Sequence, residues 1–214
     1  MSNSVQIGGN VSGNVVAGDH NVIGAPPATA TAGLAPRIGF VVDIIGFGHR
    51  GAEDKEDLQR RLDTLVGRVI ADLGLTRADT DGDVAGDAMV VFLPVGTVSS
   101  HALPRMISAM AERLGRDNHN HRDRMRLRMA VGSGLVGAGP LGFIGELVVD
   151  LHRLVDSVNL RQAISDHEDA DLALLVANAL HDEVIRPGYL DKQDFTEVAV
   201  RSKEFEAAAW LRLC

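Results

Sequence analysis

Two aspartates stand at the ends of apolar runs, where a side chain can leave the core and do chemistry. Asp43 closes the apolar run 40–42, and a glycine-broken turn follows it. Asp87 follows Gly86 and opens a second apolar run, residues 88–93. Open sheets place their ligand sites at strand ends, which is where both aspartates stand. If the two strands are adjacent and antiparallel, the carboxylates of Asp43 and Asp87 lie close together. Either aspartate alone is equally consistent with a residue that caps a turn.

A pair of facing carboxylates is suited to a hard divalent cation. Mg²⁺ and Mn²⁺ prefer oxygen ligands, and they share these ligands with the phosphate groups of a substrate. The pattern therefore predicts that Asp43 and Asp87 bind metal ions together with a phosphorylated compound.

Length and composition limit the classes of protein to which this chain belongs. With 214 residues, of which 45% are hydrophobic, it can bury one good core, so we expect one domain with a short appendage. The net charge of −8 argues against a nucleic-acid binder, which normally has a basic face. Its one cysteine, Cys214, rules out an intramolecular disulfide framework, and no apolar run is long enough to span a bilayer. We expect a cytoplasmic protein without a membrane or nucleic-acid partner.

Hydrophobic periodicity predicts strands and helices after residue 36. Residues 25–36 are rich in Ala, Pro and Thr and are typical of an extended linker. Residues 76–86 are turn-rich, residues 132–142 are glycine-rich, and both segments are predicted to be loops. The order of elements predicts an α+β sandwich with helices on one face. The predicted strands are 37–43, 88–93, 125–131, 171–176, 195–200 and 207–213, and the predicted helices are 53–75, 99–115, 146–164 and 178–185.

Three segments, in this order, resemble motifs of the class III nucleotidyl cyclases. Residues 43–47, Asp-Ile-Ile-Gly-Phe, resemble the family's D-I-x-G-F segment, and residues 86–92 resemble its second metal-binding hairpin. Residues 143–154 resemble the family's helix F-G-x-x-V-N-x-A-x-R-L. The resemblance covers residues 37–214 and implies the ferredoxin-like α+β sandwich of the cyclase catalytic domain.

The resemblance also implies roles for individual residues. Asp43, Asp87 and the carbonyl of Ile44 would hold two ions, Mg²⁺ or Mn²⁺, which activate the ribose hydroxyl and bind the triphosphate of a nucleoside triphosphate. Arg153 would act on the transition state from the partner subunit of a homodimer. The remaining substrate contacts would come from Gly46, Phe47, Gly48 and Asp83.

Three positions depart from the family's pattern. Val149 stands where the family has an asparagine that positions the ribose, and valine cannot form that hydrogen bond. Asp83 stands where adenylate-forming members have a base-reading lysine, and its carboxylate can accept from N1–H and N2–H of guanine. The second base-reading position is Gly142, which has no side chain. Metal binding is thus expected to be retained, whereas the family's base recognition is not.

Residues 1–24 differ in composition from the rest of the chain. They repeat Gly-Asn-Val and then His-Asn-Val, and such short β-prone segments can stack on copies of themselves. The glycine content is equally consistent with a flexible tail. The segment resembles bacterial amyloid signalling motifs and the core tetrad of receptor-interacting-protein homotypic motifs, which implies docking on other copies or on a partner protein with a matching motif. The predicted self-assembly residues are Val5, Gln6, Ile7, Gly8 and Asn10.

Three functions from different classes are consistent with these features. The first is a divergent cyclase that acts as a signalling effector, for example in antiphage defence. The second is a nucleotide-binding regulatory module without turnover, and the third is an assembly adaptor whose domain only dimerises. Val149 favours the last two functions, whereas Asp43, Asp87 and Arg153 favour the first two. The sequence therefore leaves catalysis open.

Overall fold

The computed structural model describes residues 33–202 and 205–214, which form an eight-stranded sheet with helices on both faces. The strands are β1 (Ala35–Ile44), β2 (Asp81–Ala85), β3 (Ala88–Phe92), β4 (Leu127–Gly139), β5 (Gly142–Ile144), β6 (Leu172–Ala177), β7 (Thr196–Ser202) and β8 (Phe205–Leu213). The longer helices are α1 (Ala52–Asp72), α2 (Ser99–Asn120), α3 (Glu146–Val155) and α4 (Val158–Asp166), and a short helical segment covers Asn178–Leu180 and His181–Ile185.

The sheet places β1 between two antiparallel neighbours. The strand order is β2-β3-β1-β4-β6-β8-β7, and β5 pairs with the end of β4. β4 runs parallel to β6, and a parallel pair needs a crossover connection, which α3 and α4 provide. Near the end of β1, Asp43 pairs in register with Ala88 on β3 and with Arg128 on β4.

Alternate residues of the central strands point into two separate cores. Phe40 and Val42 of β1 pack with the apolar sides of α1 and α2, whereas Val41 packs with α3 and α4 on the opposite face. The prediction that the helices share one face is wrong, because the apolar stripe of α3, with Leu147 and Leu151, covers the second face. Asp43 lies on this second face, one alternation beyond Val41.

Two segments that were predicted to be loops contain strands. The acidic segment 76–86 includes β2, whose residues are all exposed, so hydrophobic periodicity could not reveal it. The glycine-rich segment 132–142 continues β4 as far as Gly139. A Cβ on Gly132 would lie 3.1 Å from a side-chain carbon of Leu147, a tight contact, so glycine favours the close packing of α3 on the strand.

The predicted helix 146–164 is divided into α3 and α4. Asp156 ends α3 as its C-cap. The side chain of Ser157 then accepts a hydrogen bond from the backbone N–H of Leu160, which caps the start of α4. Asp156, at the division, lies near Arg128 of β4.

Part of the sequence prediction falls outside the described residues. Residues 1–24, with Val5, Gln6, Ile7, Gly8 and Asn10, are not among them, nor are residues 25–32 of the predicted linker. The self-assembly role of this segment stays a prediction. Within residues 33–202 and 205–214, no helix has both the length and the apolar character needed to cross a membrane.

Candidate active site

The two predicted metal ligands meet at one end of the sheet. Asp43 lies near the end of β1 and is 8% exposed. Asp87 lies in the turn between β2 and β3, and its backbone oxygen accepts a hydrogen bond from the backbone N–H of Ile44 at 3.1 Å. The charge of Asp87 contributes to raising the pKa of the Asp43 carboxyl, as expected for neighbouring acids. The fold thus brings Asp43, Ile44 and Asp87 together.

Arg128 on β4 is the direct partner of Asp43, and none of the sequence motifs singled it out. Its guanidinium donates a hydrogen bond to Oδ2 of Asp43 from the neighbouring strand. Another nitrogen of this guanidinium lies 3.9 Å from Asp156, which also pairs with Arg161 at 3.0 Å. The buried Nε of Arg128 has no hydrogen-bond partner among the described residues. An internal cation therefore neutralises Asp43 in this structure.

The environment of Asp43 opposes its ionised form. Burial is the main reason why the pKa of Asp43 is raised above its ordinary value, and the negative charges of Asp87 and Asp156 act in the same direction. The charge and hydrogen bond of Arg128 lower the pKa, but they offset the other effects only in part. A further cation beside Asp43 and Asp87 would therefore favour the ionised form of Asp43 and would also lie beside the carboxylate of Asp87.

The donor set fits a divalent cation that takes part of its coordination from a ligand. In the described ranges, no three His, Cys, Asp or Glu side chains are close enough to hold a metal by themselves. Mg²⁺ is commonly held by one or two carboxylates together with substrate phosphates, so the pair of aspartates is sufficient. Because Arg128 bonds Oδ2 of Asp43, the other oxygen of Asp43 and the carboxylate of Asp87 are the ones available to a metal.

The turn after β1 exposes backbone rather than side chains. Gly46 has a φ of +71°, which favours glycine, and Phe47–His49 then form one short helical turn. Gly46 and Gly48 are exposed, so their backbone is accessible to a ligand. The side chain of Phe47 instead packs against the core under α1 and α2, and the ammonium of Lys55 lies 5.7 Å from the centroid of its ring.

Helix α3 carries Val149 and Arg153 on its exposed side. Gly145 precedes the helix with a φ of +129°, and a Cβ there would lie 2.1 Å from the backbone oxygen of Leu135, so the start of α3 requires glycine. Val149 is 47% exposed. The guanidinium carbon of Arg153 lies 5.0 Å from the centroid of the Phe205 ring. Within one copy, the partner of this arginine is an aromatic ring and not a predicted metal ligand.

Asp83 and Gly142, the two positions aligned with base recognition, line the same cavity of about 190 Å³. Its walls are mostly apolar and include Phe143 and Val148. His152 also lines this cavity, although the sequence motifs did not indicate it. The available signal was helical spacing, since His152 follows Val148 by one turn of α3 and shares its side of the helix.

Comparison with known proteins identifies the fold but no sequence relative. No protein-family model and no curated protein matches the sequence. The chain is similar to an adenylate/guanylate cyclase/hydrolase from Silicibacter pomeroyi, with a TM-score of 0.62, 17% identity, and coverage of 86% of this chain and 99% of that chain. It is also similar to the guanylyl cyclase Cya2, with a TM-score of 0.59, 12% identity, and coverage of 85% and 92%.

A third similar structure contains a nucleotide. It is the guanylate cyclase domain of RhGC from Catenaria anguillulae in complex with GTP, with a TM-score of 0.53, 16% identity, and coverage of 84% of this chain and 97% of that chain. Identities this low establish the fold alone. The chain therefore has the mixed α+β fold of class III nucleotidyl cyclase catalytic domains, which confirms the fold class predicted from its sequence.

Proposed function

We propose that this chain is a divergent nucleotidyl cyclase-like signalling effector that acts on a nucleoside triphosphate at a site shared by two copies. The observation that supports this most directly is the buried carboxyl of Asp43 beside Asp87, with its raised pKa. The charge of Asp87 adds to the cost of ionising the buried Asp43, so placing these two carboxylates together does not favour folding. A metal-bound triphosphate removes that cost, so the pair is suited to such a ligand.

Each part of the site has a role in this proposal. Asp43, Asp87 and the Ile44 carbonyl hold two Mg²⁺ or Mn²⁺ ions together with the triphosphate. Bound ions supply stabilisation of the charge that develops on the attacking and leaving oxygens. The exposed backbone of the turn at Gly46 and Gly48 contacts the phosphates. Arg153 acts on the substrate held by the other copy.

A homodimer is supported by the apolar surface around α3. Leu141 is fully exposed at the hairpin between β4 and β5, and Ile144 and Val149 are 43% and 47% exposed. Adjacent exposed apolar side chains favour burial against another protein surface. The nucleotide ligand is supported by the similar domain that was solved in complex with GTP.

A second candidate function is a nucleotide-binding regulatory module without turnover. Two observations favour it. Val149 offers no hydrogen bond to a ribose, and Arg128 already provides a positive charge to Asp43 without any metal. Such a module would bind nucleotide and transmit its presence through dimerisation.

Turnover of the four ribonucleoside triphosphates with Mn²⁺, at high protein concentration, tests the proposal. We expect a cyclic nucleotide and pyrophosphate, and a loss of about 100-fold or more in Asp87→Asn, because charge stabilisation at the reacting oxygens is removed. Asp87 is preferred to Asp43 for this test because Asp43 also forms an ion pair with Arg128. Asp169→Asn, which changes an exposed aspartate outside the site, is the matched control and should retain full turnover.

The same experiment separates the two candidate functions. Metal-dependent nucleotide binding without turnover, lost in Asp87→Asn, would replace the cyclase by the regulatory module. If the wild-type chain neither turns over nor binds any of the four nucleotides, both are wrong and assembly is left as the function.

We also propose that residues 1–24 raise the local concentration of the domain by docking on copies or on a partner with a matching motif. The support is the sequence pattern alone. A site shared by two copies forms only when they meet, so assembly promotes it through effective concentration. Deletion of residues 1–24 should reduce turnover or nucleotide binding at low protein concentration and leave it unchanged at high concentration. Equal loss at both concentrations would contradict this mechanism. Antiphage defence and a cytoplasmic location stay predictions from the sequence.

A further inference from the structure

The cavity between β2, β3, β5 and α3 combines apolar walls with two polar side chains. Its volume is about 190 Å³, and Val90, Phe143 and Val148 are among its apolar walls. Among the described residues that line it, Asp83 and His152 are the ones with polar side chains. Ligand sites commonly combine apolar walls with a few polar groups that set the orientation of the ligand.

The side chains of Asp83 and His152 make no hydrogen bond or ion pair to another element of the described residues. The imidazole of His152 has no hydrogen bond or ion pair with any residue of the described ranges, and His152 is exposed. Asp83 accepts one hydrogen bond at Oδ1, from the backbone N–H of its neighbour Val84 at 2.8 Å, and it too is exposed. Both side chains are therefore free to bind a ligand that enters the cavity.

We infer that His152 is a base-reading residue of this site and that, together with Asp83, it selects guanine. This rests on the proposed function, because it concerns the nucleotide of the same site. The position aligned with the second base-reading residue is Gly142, which has no side chain. His152 lines the same cavity from α3 and supplies the polar group that Gly142 lacks.

The hydrogen-bonding pattern distinguishes guanine from the other bases. A carboxylate only accepts hydrogen bonds, and guanine presents two adjacent donors, N1–H and N2–H. Guanine also presents the acceptors O6 and N7 on one edge, and these match an imidazole N–H. Adenine would direct the acceptor N1 at the carboxylate of Asp83, so that two acceptors face each other without a proton, and a site built for hydrogen bonds rejects such a ligand.

Nucleotide affinity measured by calorimetry tests this inference on the full chain. The probes are GTP and ATP analogues with a methylene group in place of the oxygen between the α and β phosphorus atoms, so that pyrophosphate cannot leave. We expect the GTP analogue to bind at least tenfold tighter than the ATP analogue. His152→Ala should weaken the GTP analogue about tenfold and leave the ATP analogue within about twofold. His152→Gln, which keeps an N–H donor, should recover most of the preference.

A matched control and two contrary outcomes complete the test. His119→Ala, which changes an exposed histidine on α2 outside the cavity, should bind both analogues as the wild type does. If the wild type binds both analogues equally, or if His152→Ala weakens both to the same extent, His152 does not read the base, while the proposed nucleotide site stands. If neither analogue binds, the proposed function itself is wrong and the inference falls with it.

Discussion

Replacing Arg128 by glutamine should lower the free energy of unfolding by about 3 kcal/mol near pH 8, and most of this loss should disappear near pH 4, close to the ordinary pKa of an aspartate. Arg128 and Asp43 have side chains that are 15% and 11% exposed, so the variant leaves a mostly buried carboxylate without its cation. Removing one member of a buried pair is costly because the other charge stays desolvated.

The pH dependence follows from the direction of the pKa shift. The pKa of Asp43 is already raised by burial and by the neighbouring acids, and Arg128 is the group that lowers it. Without Arg128, the pKa of the folded state rises further above that of the unfolded chain. The folded state then binds a proton more readily than the unfolded chain, so stability is lost as pH rises through the folded pKa and regained as pH falls below it.

Chemical denaturation of wild type and variant at both pH values measures this effect. Arg60→Gln is the matched control, since Arg60 is an exposed arginine with surface ion pairs on α1 and should cost less than about 1 kcal/mol at either pH. The double variant Asp43→Asn, Arg128→Gln removes both charges and should lose the pH dependence. An equal loss for Arg128→Gln at both pH values would mean that packing, and not the charge of Asp43, explains its cost.

The sequence was sufficient for the parts of the fold that have apolar periodicity. β1, β3 and α1 were predicted within a few residues because their buried positions alternate with the period of the element. β2 was missed because none of its residues is buried, and its pairing with β3 is a tertiary effect that no local pattern encodes. The second half of β4 was missed because glycine, which signals a loop, serves here for the close approach of α3.

The candidate site was predictable to the same degree and for the same reason. The strand-end positions of Asp43 and Asp87 predicted that the two acids would be neighbours, and the register of β1 with β3 brings them together. No sequence motif distinguishes Arg128 from the other residues of the predicted strand 125–131. Its role depends on the register of β1 with β4, which pairs it with Asp43 across 85 residues of sequence. No specified position of the cyclase helix motif falls on His152. Its role depends on which cavity α3 covers, and the sequence does not show that.

A shared site also predicts that two inactive variants restore each other. Asp87→Asn removes a metal ligand at the sheet end of one copy, and Arg153→Ala removes the arginine that acts on the other copy's substrate. Each variant alone should lose turnover by about 100-fold or more. Mixed in equal amounts, they should recover about a quarter of wild-type turnover, because half of the dimers are mixed and each mixed dimer has one intact site of two.

The geometry of α3 is the reason to expect recovery. Arg153 lies on the exposed side of its helix against Phe205, and Asp43 pairs with Arg128 instead, so a single copy does not join these groups. As a control, Asp43→Asn mixed with Asp87→Asn should not recover, since both changes lie on the same side of the shared site. Recovery in that control would indicate that the samples contain wild-type protein. Two outcomes would contradict this prediction: Arg153→Ala alone keeps its turnover, or its mixture with Asp87→Asn stays inactive. In either case Arg153 does not act across a dimer, and α3 contributes only packing and the wall of the base cavity.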